Sequence, residues 1–521
     1  MGKDLTPIRK MFTATNNYPE PGSDAERKAF QEIQQRFGEQ FEKVFPDKLA
    51  ERTVVILPSL SLDQDILAKV KGAVHYEERM LCLLMLLRMP LTKIIYITSV
   101  PVTETIVDYY LHLLPGITSH HARQRLTMLS CFDSSVKPLT QKILDRPRLI
   151  ERIRGLITNK NTTHLTCYNI TPLEKTLAVH LDIPLFGTDP DKFYEGSKSG
   201  GRKTFRESGV SFPDGFEDLH TRKDIINALT ALKEKDPNMR KAVVKMNDGF
   251  SGDGNAMYKY PDEAAGDELS KKIDESLDQN LKPVAGDVTV KLFFEKFNGM
   301  GGIVEAFLEG EIKMSPSVQC VINPAKQVEI VSTHDQLLGG DDGQIFIGAI
   351  FPADEVYSVS LATEGRKIAE TLVKKGALGR FAIDFISVKQ ADGSWKHYAI
   401  EINLRKGGTT HPFLMLQFLT DGKYNANTGE YLTSSRNKRF YFASDNVVNE
   451  KYIGLTPDDL IDIATYHDLI YDGAAQEGVM FHLVGALSEH GKLGLVCIGS
   501  SPEKAKEYYD KTLQILDHEC N

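Results

Sequence analysis

The chain has one tryptophan in 521 residues and only six cysteines, at 82, 131, 167, 320, 497 and 520, with no Cys-x-x-Cys spacing. A structural zinc site or a disulfide framework needs closer or paired spacing, so reduced thiols in a cytoplasmic protein are expected. Long apolar runs are missing as well. The longest, Met80 to Leu87, is far short of the roughly 20 residues that span a bilayer, and no secretory signal is read at the start, so no membrane partner is expected. Met1-Gly2-Lys3-Asp4-Leu5-Thr6 fits the loose myristoylation pattern, which chance matches often do. There is no basic excess: Lys and Arg number 62 against 71 Asp and Glu, a net charge of −9. Nucleic-acid binding needs a basic footprint, so it is not expected either. Internal repeats and low-complexity tracts are absent. What remains has the composition of a globular protein, too long for one core, so about two to four domains are expected.

From Thr53 the pattern alternates strand and helix. Val54–Leu57, Ile94–Thr98 and His164–Cys167 read as strands, and Glu77–Arg88, Thr103–Leu113, Arg146–Ile157 and Thr171–Leu181 as helices. That alternation predicts a parallel α/β sheet. Gly187-Thr188-Asp189-Pro190 reads as a linker. Beyond it, strands separated by polar gaps suggest antiparallel sheet. The end of the chain reads strand, turn, strand, helix. Three segments follow: 1–190, 191–445, and a small C-terminal α/β piece over 446–521.

The most informative stretch is GRFAIDFISVKQADGSWKHYAIEINLR, residues 379–405. Asp392-Gly393 favours a two-residue type I′ hairpin turn, since both positions need positive φ. With that turn as centre, Asp384 faces Glu401, Ala382 faces Asn403, and Arg380 faces Arg405. Alternation puts Glu401, Asn403 and Arg405 on one face. Opposed carboxylates repel, and a sequence that keeps them implies a cation between. Asp384, Glu401 and Asn403 are hard oxygen ligands suited to Mg²⁺, with Mn²⁺ as the alternative.

Upstream, AVVKMNDGFSGDGNAMYKY (242–260) runs from a strand bearing Lys245 into a loop with Gly249, Ser251, Gly252 and Gly254, then into a second strand. Glycines let backbone N–H groups approach phosphate oxygens. No Gly-Lys-Ser/Thr follows, which excludes a Walker A loop. A strand rather than a helix follows, which excludes a dinucleotide loop. The hairpin tip reads instead as a lid over a triphosphate, with Lys245 aimed at the phosphates. Between the two hairpins, Glu305-Ala306-Phe307-Leu308 ends a strand whose backbone can meet an adenine edge. His411, beside the metal strand, and His334, in a polar strand end read as facing the cleft, are weaker substrate candidates.

The order of these pieces resembles the ATP-grasp superfamily, in which two α+β subdomains clamp MgATP. The resemblance implies further roles. Lys198, eleven residues before Gly209, matches an ATP-site lysine, with Lys203 the second candidate. Glu305 to Leu308 match the adenine hinge, and Glu311 a ribose-binding acid. Asp384, Glu401 and Asn403 match the metal ligands. Arg405 matches an arginine acting on the transferred phosphate. Gly408 and Thr409, in GGTTHP (407–412), match a segment lying over the acyl phosphate and acceptor. Ala382 stands where dipeptide ligases of the superfamily carry an arginine, which leaves Arg380 or Arg405 to supply that charge. The first half of the chain and the junction LEKTLAVHLDIPLFGTDP resemble the pheganomycin-type peptide ligases with their pre-ATP-grasp domain, and a related domain of an IQ-motif protein.

The resemblance therefore implies a Rossmann-like pre-ATP-grasp domain, an ATP-grasp fold, and ATP with Mg²⁺ as cofactors. It implies an ATP-dependent carboxylate–amine ligase acting through an acyl phosphate on small-molecule or peptide carboxylates and amines. A phosphotransferase on the same clamp and a catalytically inactive nucleotide-binding scaffold are the alternatives. The substrates, the general base and a homo-oligomeric state are left open.

Overall fold

In the computed structural model, residues 18–61, 67, 70–249, 254–261, 268–285, 288–339 and 345–520 are described. Ser251 and Gly252 lie outside them. The chain divides into two compact units. The first is Met1–Pro190 with two short returns, Ile453–Asp459 and Leu483–Gly491; the second is the remainder.

The first unit holds β1 (Arg52–Leu57), β2 (Thr92–Thr98), β3 (Leu126–Ser130) and β4 (Thr163–Cys167), all parallel in the order β3-β2-β1-β4. The run RTVVIL of β1 is buried at every residue, as parallel strands covered on both faces are. Helix Pro172–Leu181 starts at a capping box, with the Thr171 side chain on a backbone amide and Glu174 reaching back to Thr171. Val55, Ile97, Leu165 and Leu177 meet in the core. Two elements differ from the pattern. β3 escapes it because LTMLS is short and half-buried throughout. The helix expected over 77–88 is a 3₁₀ run, Ala73–Arg88.

The second unit carries two larger sheets. β5 (Gly215–Leu219), β6 (Lys241–Met246), β7 (Asn255–Lys259), β8 (Leu281–Pro283) and β9 (Gly302–Ala306) form a five-stranded antiparallel sheet, order β5-β9-β6-β7-β8. Helices Arg222–Lys235, Leu269–Asn280 and Val290–Met300 bury Leu229, Ile273, Phe293 and Phe297 with it.

The nine-stranded sheet runs β10 (Lys313–Met314), β14 (Gly379–Lys389), β11 (Pro316–Ile322), β12 (Val328–Gly339), β13 (Ile345–Phe351), β18 (Phe440–Val448), β20 (Lys492–Gly499), β19 (Gly478–His482), with β15 (Trp395–Asn403) paired to β14. A two-stranded ribbon, β16 (Lys423–Asn425) and β17 (Glu430–Leu432), stands apart. Helix Ser358–Lys374 packs Leu361, Ile368 and Leu372 against the large sheet. The 446–521 segment has its expected strand, strand, helix order, but β19 and β20 extend this sheet through β18. The apolar residues of β20 bury against that neighbour. Among the described residues, no helix is long and apolar enough to cross a membrane.

Candidate active site

The β14–β15 hairpin pairs Asp384 with Glu401 and Ala382 with Asn403. It reaches that register by a route other than the expected one. The tip is a three-residue loop, Ala391–Gly393, closed by Gly393 N–H on the Gln390 carbonyl and Gln390 N–H on the Ser394 carbonyl. Only Gly393 is left-handed there, at φ 87°, so the turn is not type I′. It is a type I turn followed by a left-handed glycine. The extra loop residue shifts the pairing by one as far as Phe385–Ala399. A bulge between Asp384 and Phe385, with Ile400 as the additional residue, shifts it back. The bulge also changes which side chains share the acidic face. Unbroken alternation would put His397 and Ala399 there, yet both are buried in the core. Lys396 and Tyr398, opposite Val388 and Ile386, take their places.

Asp384 is half-buried. It accepts from Gln336 Nε2 at 2.7 Å and from Asn403 Nδ2 at 2.9 Å. Lost hydration first, and then the charge of Glu401, push its carboxyl up to about 7 against the pull of Arg405. Burial works against the charge of Glu401 too, but the Lys198 ammonium, 2.5 Å away, wins and holds that carboxyl low. Arg405 and Lys245 act in the same direction. Two adjacent carboxylates at different protonation tendencies mark a place where a cation is favoured.

Lys198 is placed by its helix. Ser197 caps Lys198–Ser208 through the Gly200 amide, and Gly209 ends it at φ 67°. Lys203, on the same helix, does not join the acidic pair. It binds Asp218, lies over Tyr194 and is 39% exposed, so helix geometry separates the two lysine candidates. Lys245, in β6, pairs with Glu305 of β9. Glu305 is 3% exposed and is also 3.4 Å from Arg202, which reaches Glu217 at 3.2 Å. The glutamate read as part of the hinge thus has its side chain committed to a buried ion network.

Ala306 to Leu308 line a cavity of about 780 Å³ with Phe212, Lys396 and Tyr398. Glu311 is exposed beyond it. Gly249 and Gly254 pinch the root of the glycine-rich hairpin. A Cβ on Gly249 would sit 3.1 Å from the Gly254 nitrogen, a tight contact that a side chain there would have to push apart.

Three expectations are corrected. Arg380 does not face Arg405, because β15 ends at Asn403; its guanidinium lies 5.6 Å from the Phe413 ring centre. His334 shares a face with Asp384, both being paired to Ser317. It has no exposure: it packs with Phe413 of helix Thr410–Thr420, Phe351 and Tyr441, and bonds the Tyr441 hydroxyl at 2.5 Å. Burial first, and then Arg380, push its ring down to about 3. His411 is 4% exposed and stacks on His482 at 4.3 Å, so it too is a core residue. Thr409 is buried, while Gly408 keeps part of its surface and a Cβ on it would lie 2.7 Å from the Phe346 side chain.

Three residues of the site went unread. Gln336 carried a signal in alternation, two residues past His334 on β12. Arg202 carried one in helical spacing, four residues past Lys198. Asn247, which touches the Lys198 helix, had none beyond adjacency to the glycine-rich loop.

Among the described residues, no three or more His, Cys, Asp or Glu side chains gather into a metal cluster. Two carboxylates and an amide suit Mg²⁺ carried on phosphates, which supplies few protein ligands, and do not suit zinc.

The sequence profile of the IQCH-like ATP-grasp family matches residues 191–261 and 257–427, and that of the PGM1 C-terminal domain matches 459–512. The chain is 28% identical over 471 residues to an L-propargylglycine–L-glutamate ligase of Streptantibioticus cattleyicolor, covering 88% of this chain and 92% of that enzyme. It is 22% identical over 521 residues to the IQ motif-containing protein H of Danio rerio, covering 91% of this chain and 49% of that protein, about half its length. In fold it is similar to a biotin carboxylase from Campylobacter jejuni solved as a β,γ-ATP complex, with a TM-score of 0.53, 13% identity, and coverage of 89% and 91% of the two chains.

Proposed function

We propose that the chain joins a carboxylate to an amine at the expense of ATP, a reading supported by the IQCH-like ATP-grasp match over 191–427 and by the 28% identity to an L-propargylglycine–L-glutamate ligase. The observation that carries this reading is the juxtaposition of Asp384, Glu401, Asn403, Arg405 and Lys198, two half-buried carboxylates within reach of fixed cations.

In the proposed reaction a substrate carboxylate oxygen attacks the γ-phosphorus of ATP. The bond to the β,γ-bridging oxygen breaks and ADP leaves. An amine then attacks the acyl carbon, phosphate departs with the C–O electron pair, and the amine loses a proton to give the amide. Asp384, Glu401 and Asn403 would hold Mg²⁺, which when bound neutralises charge on the β- and γ-phosphates. Lys198 and Lys245 would bind phosphate oxygens as point charges, and Arg405 would stabilise charge on the transferred group with its planar fork. Ala306 to Leu308, which line the cavity beside Tyr398, would meet the base; the tip of the glycine-rich hairpin, expected from the sequence to act as a lid, lies outside the described residues. Small amino acids and peptides are the substrate class this reading favours.

The test is ADP release in the presence of candidate acids, with and without hydroxylamine. Hydroxamate formation supports an acyl phosphate and therefore a ligase. ADP release with a phosphorylated alcohol and no hydroxamate would make the protein a phosphotransferase. ATP binding without turnover on any acid would make it a scaffold.

A further inference from the structure

Asn247 stands just past β6, two residues after Lys245, and all four of its hydrogen-bonding groups are engaged. Its backbone N–H donates to the Gly301 carbonyl at 2.9 Å, and its own carbonyl accepts from Lys198 N–H at 3.1 Å. Its side-chain Oδ1 accepts from Ser199 N–H at 3.0 Å, and Nδ2 donates to the Met300 carbonyl at 3.0 Å. The first amides of a helix have no partner within the helix. In helix Lys198–Ser208, Asn247 supplies the partners for the first two, and Ser197 supplies the third through Gly200.

This is an unusual source for a helix cap. The usual cap is the residue just before the helix, which moves with it. Here two amides are held by a residue at the root of the glycine-rich hairpin, some fifty positions along the chain. The third partner, Met300–Gly301, is the turn into β9, whose Glu305 pairs with Lys245. Gly301 sits at φ 71°, and a Cβ there would come within 3.1 Å of Asn247 Nδ2 and 2.7 Å of the His220 ring, so the turn is shaped to admit the asparagine. One side chain thus locks together the base of Lys198, the strand of Lys245 and the strand of Glu305. Because the first three amides of this helix are spent on Asn247 and Ser197, its N-terminus is not itself a phosphate-binding end, and anion binding falls to the Lys198 side chain.

Resting on the ATP reading above, we propose that Asn247 is a positioning residue for nucleotide binding: it fixes Lys198 to the root of the glycine-rich hairpin, so that both lysines meet the phosphates in one geometry. A residue that only caps a helix would affect stability alone. A residue that acts through Lys198 has an effect on ATP affinity that depends on Lys198 being present.

The experiment is a double-mutant cycle on the full chain, read as MgATP affinity by calorimetry, with melting temperature measured alongside. Asn247→Ala is expected to weaken MgATP binding about tenfold, and to add less than about twofold when Lys198→Ala is already present. Thr221→Ala, which removes the capping-box residue of helix Arg222–Lys235 in the same unit, is the control. It should lower the melting temperature comparably and leave MgATP affinity unchanged. If Asn247→Ala does not fold, Asn247→Asp, which keeps the acceptor for Ser199 N–H, carries the same cycle and should again show coupling to Lys198. Additive losses, or an unchanged affinity in the asparagine variants, overturn the proposal while leaving the ATP reading intact. Absence of MgATP binding by the unaltered chain overturns the ATP reading itself, and the proposal with it.

Discussion

The two antiparallel sheets of the second unit handle buried charge in opposite ways. On the five-stranded sheet, Glu305 is met by Lys245 and Arg202, and Arg202 is met in turn by Glu217, so the charges alternate and close on themselves. On the nine-stranded sheet, Asp384 and Glu401 stand side by side with the same sign, and a single ammonium, Lys198, contacts one of them. Balanced networks hold elements together, and removing one member strands the others. Unbalanced pairs raise the energy of the resting site and are relieved by an incoming cation. Under the proposed function, breaking the first network by removing Glu305 costs stability, and breaking the second pair costs chemistry.

The sharpest break in that contrast is Glu401→Gln. It removes one of two like charges but also the anion paired with Lys198, two effects of opposite sign, so melting temperature should change little, while ADP production should fall about a thousandfold, roughly 4 kcal/mol of transition-state stabilisation. Normal turnover would remove the acidic pair from the reaction. Glu305→Gln should do the reverse: it leaves Lys245 and Arg202 without their shared anion, and denaturant unfolding should show a loss of about 3 kcal/mol. Full stability there would mean the network is not a structural one. Arg405→Lys keeps charge and loses the fork, so kcat should drop about a hundredfold with near-normal ATP affinity, while Arg380→Lys, beside Phe413, should cost far less. Equal losses would put both arginines in the site. Lys198→Ala should weaken ATP binding about tenfold or more. Lys203→Ala, already half in solvent beside Asp218, should leave binding unchanged, and calorimetry ranking Lys203 first would reverse the assignment. The smallest effect is one of pH. The ring of His334 is held down near 3 from an ordinary value of 6.5, so the stability that comes from keeping it neutral is whole above about 6.5 and is lost as the pH falls toward 3. The slope is at most about 1.4 kcal/mol per pH unit. His334→Phe should flatten that acid limb in urea titrations, and an unchanged limb would mean that another group controls it.

The sequence was legible where the period of the pattern decides the outcome. Three of the four parallel strands of the first unit and the antiparallel strands of the second follow from apolar runs and alternation, whereas the expected Asp384–Glu401 pairing holds only because the bulge at Ile400 offsets the extra loop residue. It was silent where a residue far along the chain decides. His334 lies on the face that alternation predicts, but only the arrival of helix Thr410–Thr420 roofs that face and turns a candidate ligand into a core residue. His411 has the same history with β19. Lys198 and Lys203 cannot be separated by composition, because their difference is which of Glu401 and Asp218 the helix swings each one toward. The terminal strands were read correctly as strands, but the edge that β18 offers them is a fact of tertiary pairing.

The extra residue at Ile400 has a consequence for how this protein tolerates change. The hairpin behaves like a vernier: the tip takes one extra residue into the loop and the bulge takes one extra residue into the strand, so that Glu401 and Asn403 pair as they would across a two-residue turn. Insertions or a foreign epitope spliced between Ala391 and Gly393 should therefore leave Glu401 and Asn403 facing as they do. Deleting the single residue Ile400 should remove the bulge and leave an unbroken ladder, with Glu401 still opposite Asp384 and Asn403 still opposite Ala382, so it should cost the local bend of β15 and spare the pairing.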